Sequence, residues 1–478
     1  MKKTILVILA VIAVVVAAAP FAVGFVAESR LQALLDDLNK ENIVDFTIIK
    51  VNRGWFSSEA IIEGELSVCL AKSMGQTTTL SGSNVATPKL TLQSTIYHGP
   101  FPLIGGSFSL VPVTGLVDTK FIRGVDDDEE LINIDYEFEI EMAMSGNNEI
   151  NMIIPEWEGP LGEAESISWK GLEANIKLTE GLKKAKIKLN APYLKIDSKE
   201  GGFLLEGVNL SSNTRKGIEG MSLGTGQFDV GKIEISNSAK GTDLKLGKTS
   251  FAADTGAIGD NINSHVEFRM EKLSVAGQTY GQAFLSMDFR NLQAAALARI
   301  QKQMDELSCQ TNIPADQSSS LLMAALTAEM TNLLEQGPEI EIGELSIDSP
   351  HGKMITTASA KVDTSRPQLL SNPLLALGAL VAEVDVEVPE GLLVAFNMGV
   401  VRNEFKNANI QYTEEQLRTM AERRVEGMMN GPAAQFFVKS GDVYKFSASF
   451  KEGVPMMNGE PFQIPLFGAP PESGAPLQ

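Results

Sequence analysis

The sequence predicts an α+β fold, predominantly antiparallel β. Long one-faced strands lie in curved sheets, with a few late helices and one N-terminal transmembrane helix. Three observations predict it. Apolar residues alternate with charged ones at period two through most of the chain. Three late segments repeat apolar residues at helical spacing, and an uncharged apolar run fills residues 4–27.

The N-terminal run comes first. At the helical rise Thr4–Ala27 spans about 36 Å, enough to cross a hydrocarbon core of roughly 30 Å. Lys2 and Lys3 precede it, whereas Glu28, Arg30, Asp36 and Asp37 follow. The positive-inside bias keeps the N-terminus in the cytoplasm and sends the long remainder across. A cleaved signal peptide is the competing reading, with Ala17-Ala18-Ala19 as the small-residue site. Pro20 directly after that site, and the apolar run continuing through Phe25 and Val26, weigh against it. The expected product is therefore a single-pass inner-membrane protein with its bulk in the periplasm. Leu31, Leu34, Leu35 and Leu38 carry the helix out to about Lys40.

The period then switches to two. Ile132, Ile134, Tyr136, Phe138, Ile140, Met142 and Met144 alternate with a nearly all-acidic set, a strand of about 43 Å if unbroken. Leu172–Leu178 and Ala185–Leu189 flank a turn at Glu180-Gly181 and read as a hairpin. Further strands are expected at Ala60–Leu70, Lys89–Tyr97, Gln227–Ile235, His265–Leu273, Ala283–Phe289, Glu339–Ile347, Met354–Val362, Glu383–Val388 and Tyr444–Phe450. Asn291–Leu307 and Ser318–Gln336 read as a helical hairpin ended by Gly337-Pro338, and Thr413-Glu414-Glu415-Gln416 has the capping-box form for a helix to about Met429. The expected organisation is an anchor and helical extension at 1–40, a long-strand β region at 41–290, the helical hairpin at 291–338, an α/β region at 339–467, and a disordered tail at 468–478.

Composition narrows the classes. Sixty acidic against forty basic residues give a formal charge of −20, which disfavours both nucleic acid and anionic lipid headgroups as partners of the soluble part. Two cysteines, Cys69 and Cys309, are too few for a disulfide framework and read as buried thiols, with a single pair between them in an oxidising periplasm as the alternative. An apolar fraction of 44% suits a packed chain.

Enzyme-like strings fail on context. Gly220-Met221-Ser222-Leu223-Gly224 has the G-x-S-x-G form, but a nucleophile elbow needs a strand before the serine and a helix after it. Glycine-rich, strand-patterned sequence follows instead. A periplasmic serine hydrolase using Ser222, with His265 or His351 as base, is the alternative function. Gly226–Ile233 resembles a phosphate-binding loop, except that Ile233 replaces the magnesium-binding hydroxyl. Three isolated histidines carry no zinc spacing, and Asp126–Glu130 reads as a solvated turn, without the glycine of a calcium loop. No catalytic residue, cofactor or metal is therefore expected.

Two segments are more specific. Arg53-Gly54-Trp55-Phe56-Ser57-Ser58 sets an aromatic pair just ahead of a strand. His98-Gly99-Pro100-Phe101-Pro102-Leu103 ends another with prolines that forbid ladder hydrogen bonds. Both read as rigid corners tucking aromatics into the core. With Met420–Gly427 and Val454–Pro461, they make the chain resemble the YdgA-like family of Gram-negative envelope proteins, a domain of unknown function. The resemblance implies a periplasmic domain tethered to the inner membrane, with a homodimer as an option, and supplies no catalytic residue. The expected function is non-enzymatic: an envelope scaffold or partner-binding protein, or one that handles lipid along an apolar β surface. Its expected partners are the inner membrane through Thr4–Ala27 and an envelope protein or lipid, with no nucleic acid.

Overall fold

In the structure, a computed structural model, the described residues are 23–40, 44–67, 89–98, 103–104, 107–108, 113–121, 137–143, 145–161, 164–199, 201–237, 242–275, 278–309, 315–365, 377–407, 410–431 and 436–462. Two compact units divide the chain, Met1–Thr255 with Leu297–Leu326, and Gly256–Ala296 with Thr327–Gln478.

The first unit opens with α1, residues 23–39. Ala27, Leu31, Leu34 and Leu35 recur at helical spacing and are all buried. They join one core with Ala60, Ile62, Leu92, Ile96, Val117, Ile140, Met142, Ile150 and Leu178. Each buried leucine contributes roughly 2 kcal/mol of transfer free energy. At the helix end the Asn39 amide accepts from Phe46 N–H (2.7 Å) and donates to its carbonyl (2.9 Å). Among the described residues no helix is long and apolar enough to cross a membrane. Residues 4–22 of the expected anchor lie outside them, and residues 23–27 open α1.

The strands of the first unit open with β1 (Val44–Arg53), β2 (Ser57–Leu66), β3 (Lys89–His98), β4 (Leu103–Ile104), β5 (Ser107–Phe108), β6 (Val113–Phe121), β7 (Glu137–Ala143) and β8 (Asn148–Ile154). Then follow β9 (Trp157–Leu161), β10 (Ala164–Trp169), β11 (Leu172–Leu178), β12 (Lys184–Ser198), β13 (Gly201–Lys216), β14 (Ser222–Val230), β15 (Lys232–Asn237), β16 (Thr242–Leu246) and β17 (Thr249–Ile258). Apart from the small β4–β5 pair, antiparallel neighbours run β1-β2-β3-β6-β7-β8-β11-β12-β13-β14-β17. The expected hairpin is the β11–β12 pair. The expected long strand at 132–144 is described only as β7.

β12 and β13 outgrow these neighbours and fork. Their other halves pair with β10 and β9 on one side and with β15 and β16 on the other. The fork lies at Pro192, which has no register partner, and Gly207, at φ +66°. Gly231 fits between the branches, its N–H reaching the Glu206 carbonyl at 2.8 Å, and a Cβ on Gly207 would stand 3.4 Å from its Cα. Gln227–Ile235, expected as one strand, is therefore two, broken where β13 changes partner.

The second unit holds β18 (Asn261–Met270), β19 (Leu273–Val275), β20 (Gln278–Tyr280), β21 (Ala283–Gln293), β22 (Glu339–Ser349), β23 (Gly352–Val362), β24 (Leu380–Pro389), β25 (Val438–Ser440), β26 (Val443–Lys451), β27 (Val454–Met457) and β28 (Glu460–Pro461). Its antiparallel ladder runs β18-β21-β22-β23-β24-β26-β27. His265–Leu273, expected as one strand, breaks between β18 and β19. Helices α2 (Ala294–Cys309) and α3 (Ala315–Glu335) are shared between the units. Gly337, at φ +63°, closes α3 as the sequence indicates. After them come α4 (Glu390–Asn407) and α5 (Glu414–Asn430). α5 buries Leu417, Ala421 and Val425, and it is tied to α4 by Arg402–Glu414 (2.9 Å) and Arg424–Glu404 (3.0 Å). Cys69, Asp126–Glu130 and 468–478 lie outside the described residues.

Candidate functional site

Two features of the fold stand out: a buried polar node under α1 and long apolar rows across both ladders. The node joins the two specific sequence segments. Arg53, at the end of β1, closes on the Glu28 carboxylate of α1 with Nε (2.8 Å to Oε1) and Nη2. Its guanidinium also lies 3.6 Å over the Phe25 ring. Ser58 Oγ donates to Glu28 Oε1 at 2.7 Å and stands 3.0 Å from His98 Nε2. Ser58 and His98 are 0% and 1% exposed. The node thus ties one helix to the ends of β1, β2 and β3. A Cβ on Gly24 would meet the His98 ring at 2.9 Å, so only glycine lets α1 approach the imidazole this closely.

A serine 3.0 Å from a histidine invites a catalytic reading, but the polarity is reversed. The Ser58 proton goes to Glu28, so its oxygen accepts from Nε2–H of His98, an assignment made from the hydrogen-bond network. A general base needs that nitrogen's lone pair facing the serine. Arg53, the first cause, and then Ser58 hold the Glu28 carboxyl below the usual carboxylate range, and Glu28 in turn raises Arg53. The arrangement is suited to locking α1 onto the strand ends.

The remaining motif residues are placed as follows. Gly54 N–H donates to the Ser57 carbonyl (2.8 Å) in the β1–β2 turn, and Ser57 pairs with Tyr97. Trp55 and Phe56 are 52% and 54% exposed, which corrects the expectation that this corner tucks its aromatics into the core. The turn is too tight to fold them back, and Ser58 and His98 occupy the buried positions instead. Gly99, Pro100, Phe101 and Pro102 lie outside the described residues. Sequence reasoning missed Glu28 as a partner. Its signal was an acid one turn beyond a glycine at the end of an apolar run.

The apolar rows follow from register. Phe138, Met152, Ala174, Leu189, Leu210, Phe228 and Phe251 are successive cross-strand partners from β7 to β17. The row packs into the α1 core at Phe138 and ends with Phe228 and Phe251 at 42% and 43% exposed. Its neighbour behaves alike, with Val117, Ile140 and Ile150 buried and Ile176 and Ile187 half-buried. In the second unit Val266, Met287, Ile342, Ala358, Val384, Ala448 and Met457 form a row in which every residue is half-buried. Such a row spans about 29 Å at the strand spacing. The opposite faces carry charge, as Glu383 and Asp385 on β24 and Lys186 and Lys188 on β12 show.

Ser222 opens β14 and is exposed; a strand, not a helix, follows it, so the elbow geometry is absent. Lys232 of the phosphate-loop-like string pairs with Glu234 (2.9 Å) at the start of β15. His265 is held by Asp288 (3.0 Å) and Glu267 (3.5 Å), and His351 sits in an exposed turn. Among the described residues no group of three or more His, Cys, Asp or Glu side chains could hold a metal ion.

Comparison with known proteins then places the chain. A family model described as a bacterial protein of unknown function (DUF945) matches residues 1–465. The chain belongs to this family. No curated protein and no solved structure matches it. The match runs through α1, both ladders and the α4–α5 pair, so the node and the rows lie within the region that defines family membership.

Proposed function

We propose that this chain is a non-enzymatic, inner-membrane-tethered periplasmic protein that holds lipid acyl chains along its apolar rows. One observation carries the reading: the rows continue past the helix-covered core and remain half-exposed for several strands. Closed domains bury such rows, and large exposed apolar patches mark interaction surfaces. The apolar run supports the tether: its residues 4–22, ahead of α1, span about 28 Å as a helix, close to the thickness of a hydrocarbon core. The test is mass spectrometry of lipid extracted from full-length protein purified in mild detergent. Acyl lipid near stoichiometric with the chain is the expected result. A lipid-free extract accompanied by a stoichiometric protein partner would move the function to scaffolding.

A further inference from the structure

In a chain of formal charge −20, one edge of the first unit is basic. On the polar face of β11–β13, Lys177 lies directly across from Lys186, and Lys184 across from Arg215. Lys183, in the turn before β12, and Lys216, the last residue of β13, flank them, and Lys216 N–H donates to the Lys183 carbonyl (2.8 Å). All six are exposed. Like charges directly opposite one another destabilise a strand pair, so the fold alone gives no reason for this arrangement. Lys177 is matched by Glu149 at 3.0 Å, whereas Lys183, Lys184, Lys186 and Arg215 have no carboxylate partner among the described residues. Glu173, Glu180 and Glu219 are the other acids nearby. Glu139 and Glu141 of the same face lie on β7, three strands from β12, and Glu141 with Glu149 lines one pocket with Lys177, Lys184 and Lys186. Lys183, Arg215 and Lys216 are not among the residues lining that pocket.

The position of α1 says what this edge faces. Its first turns meet the ends of β1 and β3 through Glu28–Arg53 and Gly24–His98, while Asn39 at its other end meets the beginning of β1. Arg30 reaches the β7–β8 turn at Gly146, beside Glu180 of the β11–β12 turn. The chain before residue 23 therefore leaves the unit at the edge that carries the basic turns. Exposed Trp55 and Phe56, beside Arg53, lie on the same edge, and such rings favour headgroup depth.

We propose that this edge docks on the anionic phospholipid headgroups of the bilayer holding residues 4–22. The inference rests on the tether reading and adds a lipid partner that the average charge of the chain disfavours. Each cation at an anionic surface strengthens partition by about fivefold. The test is hydrogen exchange of the full chain in lipid discs of phosphatidylcholine alone or mixed with phosphatidylglycerol. Amides of Glu180–Lys183 and Ile218–Met221 should exchange roughly tenfold more slowly in the anionic discs. High salt, or Lys184→Gln with Lys186→Gln and Arg215→Gln, should erase the difference while the melting temperature holds. Equal exchange in the two discs would overturn the proposal. So would protection already present in detergent and lost on neutralising Asp126–Glu130, since an acidic protein segment would then occupy the edge. A chain that stays out of zwitterionic discs yet binds anionic ones through these residues would end the tether reading and leave the docking edge standing.

Discussion

Glu28 of α1 binds Arg53 of β1 and Ser58 of β2 at once, so its removal is felt at three elements. Glu28→Gln keeps the shape, removes the charge that Arg53 needs, and should cost roughly 2 kcal/mol, measured by denaturant unfolding. The pH dependence has a definite sign. Because Glu28 titrates lower in the folded chain than in the unfolded one, its contribution is complete at neutral pH. It is lost as pH falls from the ordinary carboxylate range through that lowered value, so the lock should loosen in acid, and the Gln variant should lose this part of the acid sensitivity. An acid-loosening profile identical in both proteins would place the titrating group elsewhere. Arg53 and His98 were legible in the sequence as parts of distinct segments. Their meeting was not, because it depends on a helix more than twenty residues upstream whose own signal is hydrophobicity.

At the scale of elements, legibility followed local chemistry. The capping box at Thr413 forms both of its bonds, Gln416 N–H to Thr413 Oγ1 (3.2 Å) and Thr413 N–H to Gln416 Oε1 (2.9 Å). Thr413→Ala should therefore cost about 1 kcal/mol, read as a shift in the unfolding midpoint with an unchanged denaturant slope. α4 escaped the sequence because Gly391, Val394, Gly399, Val400 and Val401 are poor helix formers, and no polar stripe marks a face. Packing decides it instead, with Ala395 and Val401 buried. Alternation marked strands such as β2, β3, β7, β11, β21 to β24 and β26, whereas β1, β6, β8, β13 and β17 were not anticipated. The interruption at Gly231 showed as a glycine within the pattern, but the change of partner there and the break between Met270 and Leu273 did not, since partner changes in a ladder leave no period of their own.

For the molecule as a whole, the one-faced alternation correctly indicated sheets with an apolar side. Whether that side closes was not legible, because the same pattern serves a core and an open surface. Exposure of Phe228 and Phe251 marks where the cover ends. Replacing both with glutamate should cut co-purified acyl lipid by more than about half, since a charge cannot be buried against acyl chains without large cost. Quantitative lipid extraction alongside thermal unfolding is the check. Unchanged lipid content in a folded double variant would move the binding surface elsewhere.

The β12–β13 pair has a consequence for how this chain assembles. Both branches of the first unit's ladder grow from that one hairpin, 15 and 16 residues long, and neither branch substitutes for it. β14 with β17, or β15 with β16, has no template until residues 184–216 have closed on themselves. The hairpin should therefore nucleate the unit and be its last part to open, with the slowest-exchanging backbone amides flanking Pro192 and Gly207.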